Sequence, residues 1–132
     1  MCSATLTSAF KVFIVEDSPI IRERLLALLG SIEGAAAIGQ ASRAGEAIDG
    51  ILALQPDAVV LDLKLADGSG FDVLRAVHER APGIELYMLS NFAAEPYRRM
   101  AARLGARGFF DKSNEFQRVR EVLAARAAQH VH

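Results

Sequence analysis

The sequence lacks the cysteines, the long apolar runs and the excess of basic residues that mark disulfide-rich, membrane-spanning and nucleic-acid-binding proteins. Cys2 is the only cysteine among 132 residues, which excludes disulfide bonds within the chain and zinc sites built from several cysteines. No apolar run approaches the ~20 residues of a membrane-spanning helix, and the start MCSATLTSAF lacks the basic and apolar regions of a signal peptide. The formal net charge of −1 provides no basic excess for binding nucleic acid. We therefore expect a cytoplasmic protein without direct contacts to membrane or nucleic acid.

Hydrophobic residues make up 52% of the chain, which is enough for one core in a chain of this length. No stretch rich in proline, glycine or serine suggests a linker. We expect one domain over residues 10–128, with disordered tails at 1–9 and 129–132. The last residues, AARAAQHVH, are typical of a frayed helix end, which favours a stand-alone domain over one cut from a longer protein.

Short apolar segments alternate with amphipathic segments of helical length. Predicted strands lie at 11–15, 35–39, 57–63, 84–90 and 107–112, and each is followed by a predicted helix. Ser18, Ser42 and Ser113 are expected to cap the first, second and fifth helices, and Ser69 with Asp72 has the spacing of a capping box at the third. Strict alternation predicts a doubly wound α/β fold with a five-stranded parallel sheet, right-handed crossovers and five helices. The flavodoxin-like strand order 2-1-3-4-5 fits this length.

Polar residues follow the predicted strands at the end where ligands bind in such sheets. Glu16 and Asp17 follow the first strand, Asp62 the third, Ser90 ends the fourth and Lys112 ends the fifth. Each of these residues alone could be an ordinary turn, cap or surface residue, but all of them fall at the same end of different strands. We therefore expect them to form one site.

Three carboxylates close together need a cation, and carboxylate oxygens suit Mg²⁺, with Mn²⁺ as an alternative. No histidine or cysteine lies among the strand ends, which argues against zinc. A metal held by carboxylates beside a further acid and a lysine is suited to phosphoryl chemistry, with a carboxylate oxygen as nucleophile.

The chain resembles the receiver domain of bacterial two-component response regulators over about residues 10–128. The resemblance is carried by IVEDS after the first strand, VVLDLKLADGSGFDVL around the third, YMLSN at the fourth and GFFDKS at the fifth. It implies a phosphoprotein of a phosphorelay whose donor is a histidine kinase or a histidine phosphotransfer protein. It also implies a protein target, or a homodimer, that contacts the surface formed by helix 4, strand 5 and helix 5.

Transferred residue by residue, the resemblance implies a role for each strand-end group. Asp62 would accept the phosphoryl group and Lys112 would pair with its oxygens. Glu16, Asp17, Asp62 and the backbone carbonyl of Lys64 would hold Mg²⁺. Ser90 would be the switch hydroxyl, and Phe109 the aromatic side chain that turns inward with it. The chain departs from the common family pattern at Ala66, where proline is usual, at Asn91, where alanine or glycine is usual, and at Phe109, where tyrosine is usual.

Two other functions stay open at this point, a phosphatase and a pseudo-receiver scaffold, whereas the residues argue against FMN binding. An Mg²⁺-dependent phosphatase with Asp62 as a turnover nucleophile would share the acidic cluster, although haloacid dehalogenase-type enzymes carry a second acid two residues on, where this chain has Lys64. A pseudo-receiver would keep the fold as a scaffold without taking phosphate. An FMN-binding flavodoxin needs a serine- and threonine-rich loop after strand 1, whereas here that loop is acidic. As a receiver, the chain would be a signalling protein and not an enzyme, apart from its own phosphorylation and dephosphorylation.

Overall fold

The computed structural model describes residues 9–130, in which strands and helices alternate as the sequence predicts. The five strands of the main sheet, β1 to β5 in chain order, are Phe10–Val15, Ala35–Ala41, Ala58–Leu61, Glu85–Ser90 and Gly108–Asp111. The five helices, α1 to α5, are Pro19–Gly30, Ala44–Leu54, Gly70–Arg80, Glu95–Arg103 and Phe116–His130. A short antiparallel ribbon of Lys64–Leu65 with Gly68–Ser69 lies between β3 and α3.

The sheet is parallel and has the order β2-β1-β3-β4-β5, which confirms the predicted fold class. The register brings the carboxyl ends of adjacent strands level. Val15 pairs with Leu61, Leu61 with Met88, and Ser90 with Asp111. Residues that directly follow these strands are therefore delivered to one edge of the sheet, where the order reverses between β1 and β3.

The core lies on both faces of the sheet because alternate strand residues point to opposite sides. On one face, β1 contributes Phe13 and Val15 to a cluster with residues of α2, α3 and α4. On the other face, Val12 and Ile14 pack with residues of α1 and α5. None of the helices within residues 9–130 has the length and apolar character to cross a membrane.

The helix starts depart from the prediction at Ser42 and Ser113, whereas Ser18 and Ser69 cap their helices. Ser69 Oγ accepts a hydrogen bond from the N–H of Phe71 at the start of α3 at 3.0 Å. Ser18 caps α1 by accepting a hydrogen bond from the backbone N–H of Ile21 at 3.4 Å. Helix α2 begins at Ala44, two residues after Ser42, because a side chain from a distant loop caps it. Ser113 lies in a turn before α5, which begins at Phe116.

Helix α5 also extends further than expected. Gln129 and His130, predicted to lie in a disordered tail, continue the helix. The remainder of both predicted tails, residues 1–8 and 131–132, lies outside the described residues.

Candidate functional site

The strand ends bring Glu16, Asp62 and Lys112 into direct contact. The Lys112 ammonium Nζ lies 2.9 Å from Asp62 Oδ2 and 3.1 Å from Glu16 Oε1. All three side chains are at least nine-tenths buried. One ammonium group therefore links two carboxylates that are 46 residues apart in the chain, and the contact requires the β1–β3 and β4–β5 pairings.

Backbone amides fix the orientation of both carboxylates. The N–H of Leu63 donates to Asp62 Oδ1 at 2.7 Å, which leaves Oδ2 for Lys112. The N–H of Ser18 donates to Glu16 Oε2 at 3.1 Å. Arg22 on α1 supports the same segment, because its Nη1 donates to the backbone carbonyl of Glu16 at 2.9 Å. Both acids are thus oriented by the turns that directly follow their strands.

Burial and mutual charge shift the pKa values of this cluster. Burial raises the pKa of Glu16, and the negative charge of Asp62 raises it further, against the opposing effect of Lys112. Burial alone would lower the pKa of Lys112, but its hydrogen bond with Asp62 and the charges of Asp62 and Glu16 outweigh that effect and raise it. Lys112 therefore stays protonated at neutral pH and supplies a fixed positive charge.

Asp17 completes an acidic group that one lysine does not neutralise. One carboxylate oxygen from each of Glu16, Asp17 and Asp62 lies within 4.8 Å of the other two. Asp17 is exposed, whereas the other two acids are buried, so the group opens to solvent on the Asp17 side. A donor set made only of carboxylate oxygens suits a hard divalent cation such as Mg²⁺. The residues present therefore fit the metal that the sequence suggests.

Ser90 lies at the same edge, but its hydroxyl contacts a loop. The side chain is fully buried, and Oγ accepts a hydrogen bond from the N–H of Phe92 at 3.0 Å. The backbone carbonyl of Ser90 accepts from the N–H of Lys112 at 3.1 Å, so the ends of β4 and β5 are joined beside the acids. A movement of the Ser90 hydroxyl would first have to release the loop between β4 and α4.

Phe109 is half-buried on β5 and lies next to Arg98 of α4. The guanidinium carbon of Arg98 is 5.2 Å from the centre of the Phe109 ring, and Nη1 donates to the Phe109 carbonyl at 2.9 Å. Arg98 also donates to the Ala93 carbonyl at 2.7 Å and to Glu115 Oε1 at 3.0 Å. A single arginine thus connects the β4–α4 loop, β5 and the turn before α5. Arg98 was not predicted to have a role, because no local pattern in the sequence distinguishes it from neighbouring Arg99.

Lys64 lies in the ribbon after Asp62. Its ammonium group is 5.2 Å from the centre of the exposed Phe92 ring. The role of its backbone carbonyl as a metal ligand stays a prediction. Gly70, which no sequence pattern singled out either, closes this loop. Its N–H donates to the Leu63 carbonyl at 2.6 Å, and a Cβ at this position would lie 2.1 Å from the Asp62 carbonyl oxygen.

Comparisons with known proteins agree with this fold. The family model of the response regulator receiver domain matches residues 12–124. The DNA-binding transcriptional activator DevR/DosR of Mycobacterium tuberculosis is 32% identical over 102 residues, which are 77% of this chain and 47% of that protein. The chain spans about half the length of the first curated relatives it matches.

Two solved structures have the same fold at low sequence identity. The response regulator domain of Thermotoga maritima CheB has a TM-score of 0.81 at 25% identity, covering 93% of this chain and 96% of that chain. A chain of the CheX–CheY–BeF3–Mg²⁺ complex from Borrelia burgdorferi has a TM-score of 0.76 at 27% identity, covering 86% and 89%. With a family model matching most of its length, this chain belongs to the response regulator receiver domain family.

Proposed function

We propose that this receiver accepts a phosphoryl group on Asp62 from a phosphohistidine of a histidine kinase or a phosphotransfer protein. The observation that carries the proposal is the 2.9 Å contact between Lys112 Nζ and Asp62 Oδ2 within the acidic cluster. An isolated capping aspartate would need neither a buried lysine nor two neighbouring carboxylates. An acceptor needs both, because the lysine neutralises charge on the phosphoryl oxygens and the carboxylates hold a cation that does the same.

In the proposed transfer, an Asp62 oxygen attacks phosphorus, the new O–P bond forms, and the P–N bond to the donor imidazole breaks. The electron pair of that bond stays on the imidazole nitrogen. Lys112, held charged by its acidic neighbours, would pair with the phosphoryl oxygens. Leu63 N–H fixes the orientation of the Asp62 carboxylate. Reaching the acceptor requires the Lys112–Asp62 contact to open or rearrange.

Glu16, Asp17, Asp62 and the Lys64 backbone carbonyl would hold the divalent cation. Bound there, Mg²⁺ would supply positive charge to the phosphoryl oxygens and orient them for transfer. The Borrelia complex of CheX and CheY contains BeF3 and Mg²⁺, which supports the proposal that this similar chain also binds an anion and a metal. The Glu16 carboxylate already contacts the Ser18 N–H and Lys112, so it would contribute mainly through an intervening water.

The proposed output is a change in protein contacts at the surface of α4, β5 and α5. Ser90 would leave the Phe92 N–H for the phosphoryl group, and Phe109 would follow it inward, away from Arg98. Tyr97 and Met100 of α4 are each 39% exposed and offer apolar area for a target or a second copy. Such a domain acts in the cytoplasm as a phosphorelay component and does not turn over an external substrate.

The test is phosphorylation of the purified protein with acetyl phosphate and Mg²⁺, followed by intact mass measurement. We expect a mass increase of one phosphoryl group that is stable in acid and lost in base. The Asp62→Asn variant should give no adduct, whereas Asp57→Asn, an aspartate at the opposite end of the sheet, should react like the wild type. An unmodified wild-type protein, or an unchanged adduct on Asp62→Asn, would refute the proposal. Many turnovers of a small phosphate ester would indicate a phosphatase instead.

A further inference from the structure

The N-terminus of α2 is capped by a residue from the loop that follows Asp62. Arg43 occupies the cap position of this helix, but its side chain makes no capping hydrogen bond. The cap comes instead from Asp67, whose Oδ1 accepts a 2.6 Å hydrogen bond from the N–H of Ala44, 23 residues away in sequence. A carboxylate at a helix N-terminus is also favoured by the helix dipole.

A second hydrogen bond joins the same two segments. The N–H of Ala66 donates to the carbonyl of Ser42 at 3.4 Å. Proline at position 66 could not make this bond, because proline has no backbone N–H. Ala66 and Asp67 therefore attach the tip of the ribbon to the start of α2 by two adjacent contacts.

The base of the ribbon is attached to the phosphoryl-acceptor segment. The N–H of Gly70 donates to the Leu63 carbonyl at 2.6 Å, and Lys64 pairs with Ser69. Leu63 and Leu65 are buried in the same apolar cluster as Ala44. The backbone of Lys64 is thus held from both sides, at its base by Gly70 and at its tip through Asp67.

We propose that Asp67 is a positioning residue for the metal and phosphoryl site. Its hydrogen bond to Ala44 holds the ribbon on α2 and so fixes where the Lys64 carbonyl lies relative to the three acids. Asp67 is not one of those acids, and it is exposed. The inference rests on the proposed function, in which the Lys64 carbonyl is a metal ligand.

The experiment compares Asp67→Ala and Asp67→Asn with a matched control, Asp57→Ala. Asp57 is the same residue type and makes the same kind of bond, because its Oδ2 accepts from the N–H of Lys11 at 2.8 Å, but it lies at the opposite end of the sheet. Backbone hydrogen exchange is measured in metal-free protein, and Mg²⁺ affinity is measured by calorimetry.

In Asp67→Ala we expect faster exchange at Ala44, at Ala66 and in the ribbon. We also expect weaker Mg²⁺ binding, by about 10-fold, the usual cost of removing a group that orients metal ligands. Asp67→Asn should lie closer to the wild type, since its amide oxygen can accept the same bond. Asp57→Ala should raise exchange at Lys11 only and should leave Mg²⁺ affinity unchanged.

Two results would overturn the inference. One is unchanged ribbon exchange in Asp67→Ala, and the other is an Mg²⁺ affinity in that variant within about twofold of the wild type, well short of the expected loss. Failure of the wild-type protein to bind Mg²⁺ would count against the proposed function itself. Exchange in the metal-free protein would then decide separately whether Asp67 holds the ribbon.

Discussion

Gly70 offers the sharpest test of how closely α3 packs on the acceptor segment. A Cβ added at this position would lie 2.1 Å from the Asp62 carbonyl oxygen and 3.0 Å from its carbonyl carbon. Real Cβ atoms essentially never approach within 3.0 Å, so the backbone must move by at least 3.0 − 2.1 = 0.9 Å. The added Cβ and the Asp62 carbonyl are both positioned by the backbone, so no change of side-chain rotamer can relieve the clash.

In Gly70→Ala the backbone of Asp62, the proposed phosphoryl acceptor, would be displaced. Forcing extra volume into a packed site costs about 1–3 kcal/mol, which corresponds to a melting temperature lower by roughly 4 °C for each kcal/mol in a domain of this size. A shift of the Asp62 backbone also moves Oδ2 relative to Lys112, which is now 2.9 Å away. We expect slower formation of the phosphoryl adduct as well as lower stability.

The matched control is Gly45→Ala in α2, where an added Cβ meets no atom within 4 Å. There alanine should stabilise the helix, since glycine is the poorer helix former, but by less than the about 0.5–1 kcal/mol of a helix interior because Gly45 lies in the first turn. Glycine to alanine is therefore expected to lower the free energy of unfolding at position 70 and to raise it at position 45. Urea unfolding of both variants measures the difference, and intact mass measures the adduct rate. A Gly70→Ala variant as stable as Gly45→Ala would refute the close packing of α3 on Asp62.

Two further substitutions probe contacts away from the acceptor. Arg98→Ala should lower the free energy of unfolding by about 1–3 kcal/mol, because it removes several hydrogen bonds of one charged group. Arg99 is exposed, so Arg99→Ala should change the free energy of unfolding by no more than about 0.5 kcal/mol. Equal effects of the two substitutions in urea unfolding would contradict this prediction. Burial alone would raise the pKa of Glu85, but hydrogen bonds from Arg126 and Tyr87 outweigh that effect and lower the pKa below the ordinary value of 4.5 for a glutamate. Because the folded-state pKa is the lower one, this stabilisation is present above pH 4.5 and is lost as pH falls through the folded-state value. Unfolding measured from pH 6 downward should show a shallower decline in Glu85→Gln than in the wild type, and parallel profiles would contradict the assignment.

The sequence predicted the strands and the edge of the sheet where the site lies. Apolar runs such as KVFIV and the spacing of the helices between them are local patterns, and the strict alternation leaves few topologies for a parallel sheet. Once that order was inferred, Glu16, Asp62 and Lys112 had to meet, because each follows a strand at the same end. The structure places them within hydrogen-bonding distance.

Helix starts were less predictable than helices. A capping serine is a local signal. The predicted cap was correct for Ser18, whose hydroxyl accepts a hydrogen bond from the N–H of Ile21. It was wrong for Ser42, because a carboxylate from another loop occupies the position that a local cap would take. A window of a few residues contains no information about a partner 23 residues away.

By itself the sequence determined the fold class, the strand order and the identity of the acids and the lysine at the site. These follow from the hydrophobic periodicity and from the polar residues that follow the strands. Both patterns are local, so each segment shows them without its tertiary contacts. Only the tertiary structure decided that Asp67 caps α2, that Arg98 joins α4 to β5, and that Gly70 lies against Asp62. Each of these is a contact between segments brought together by folding, and its energy depends on distances of a few ångströms that no local pattern encodes.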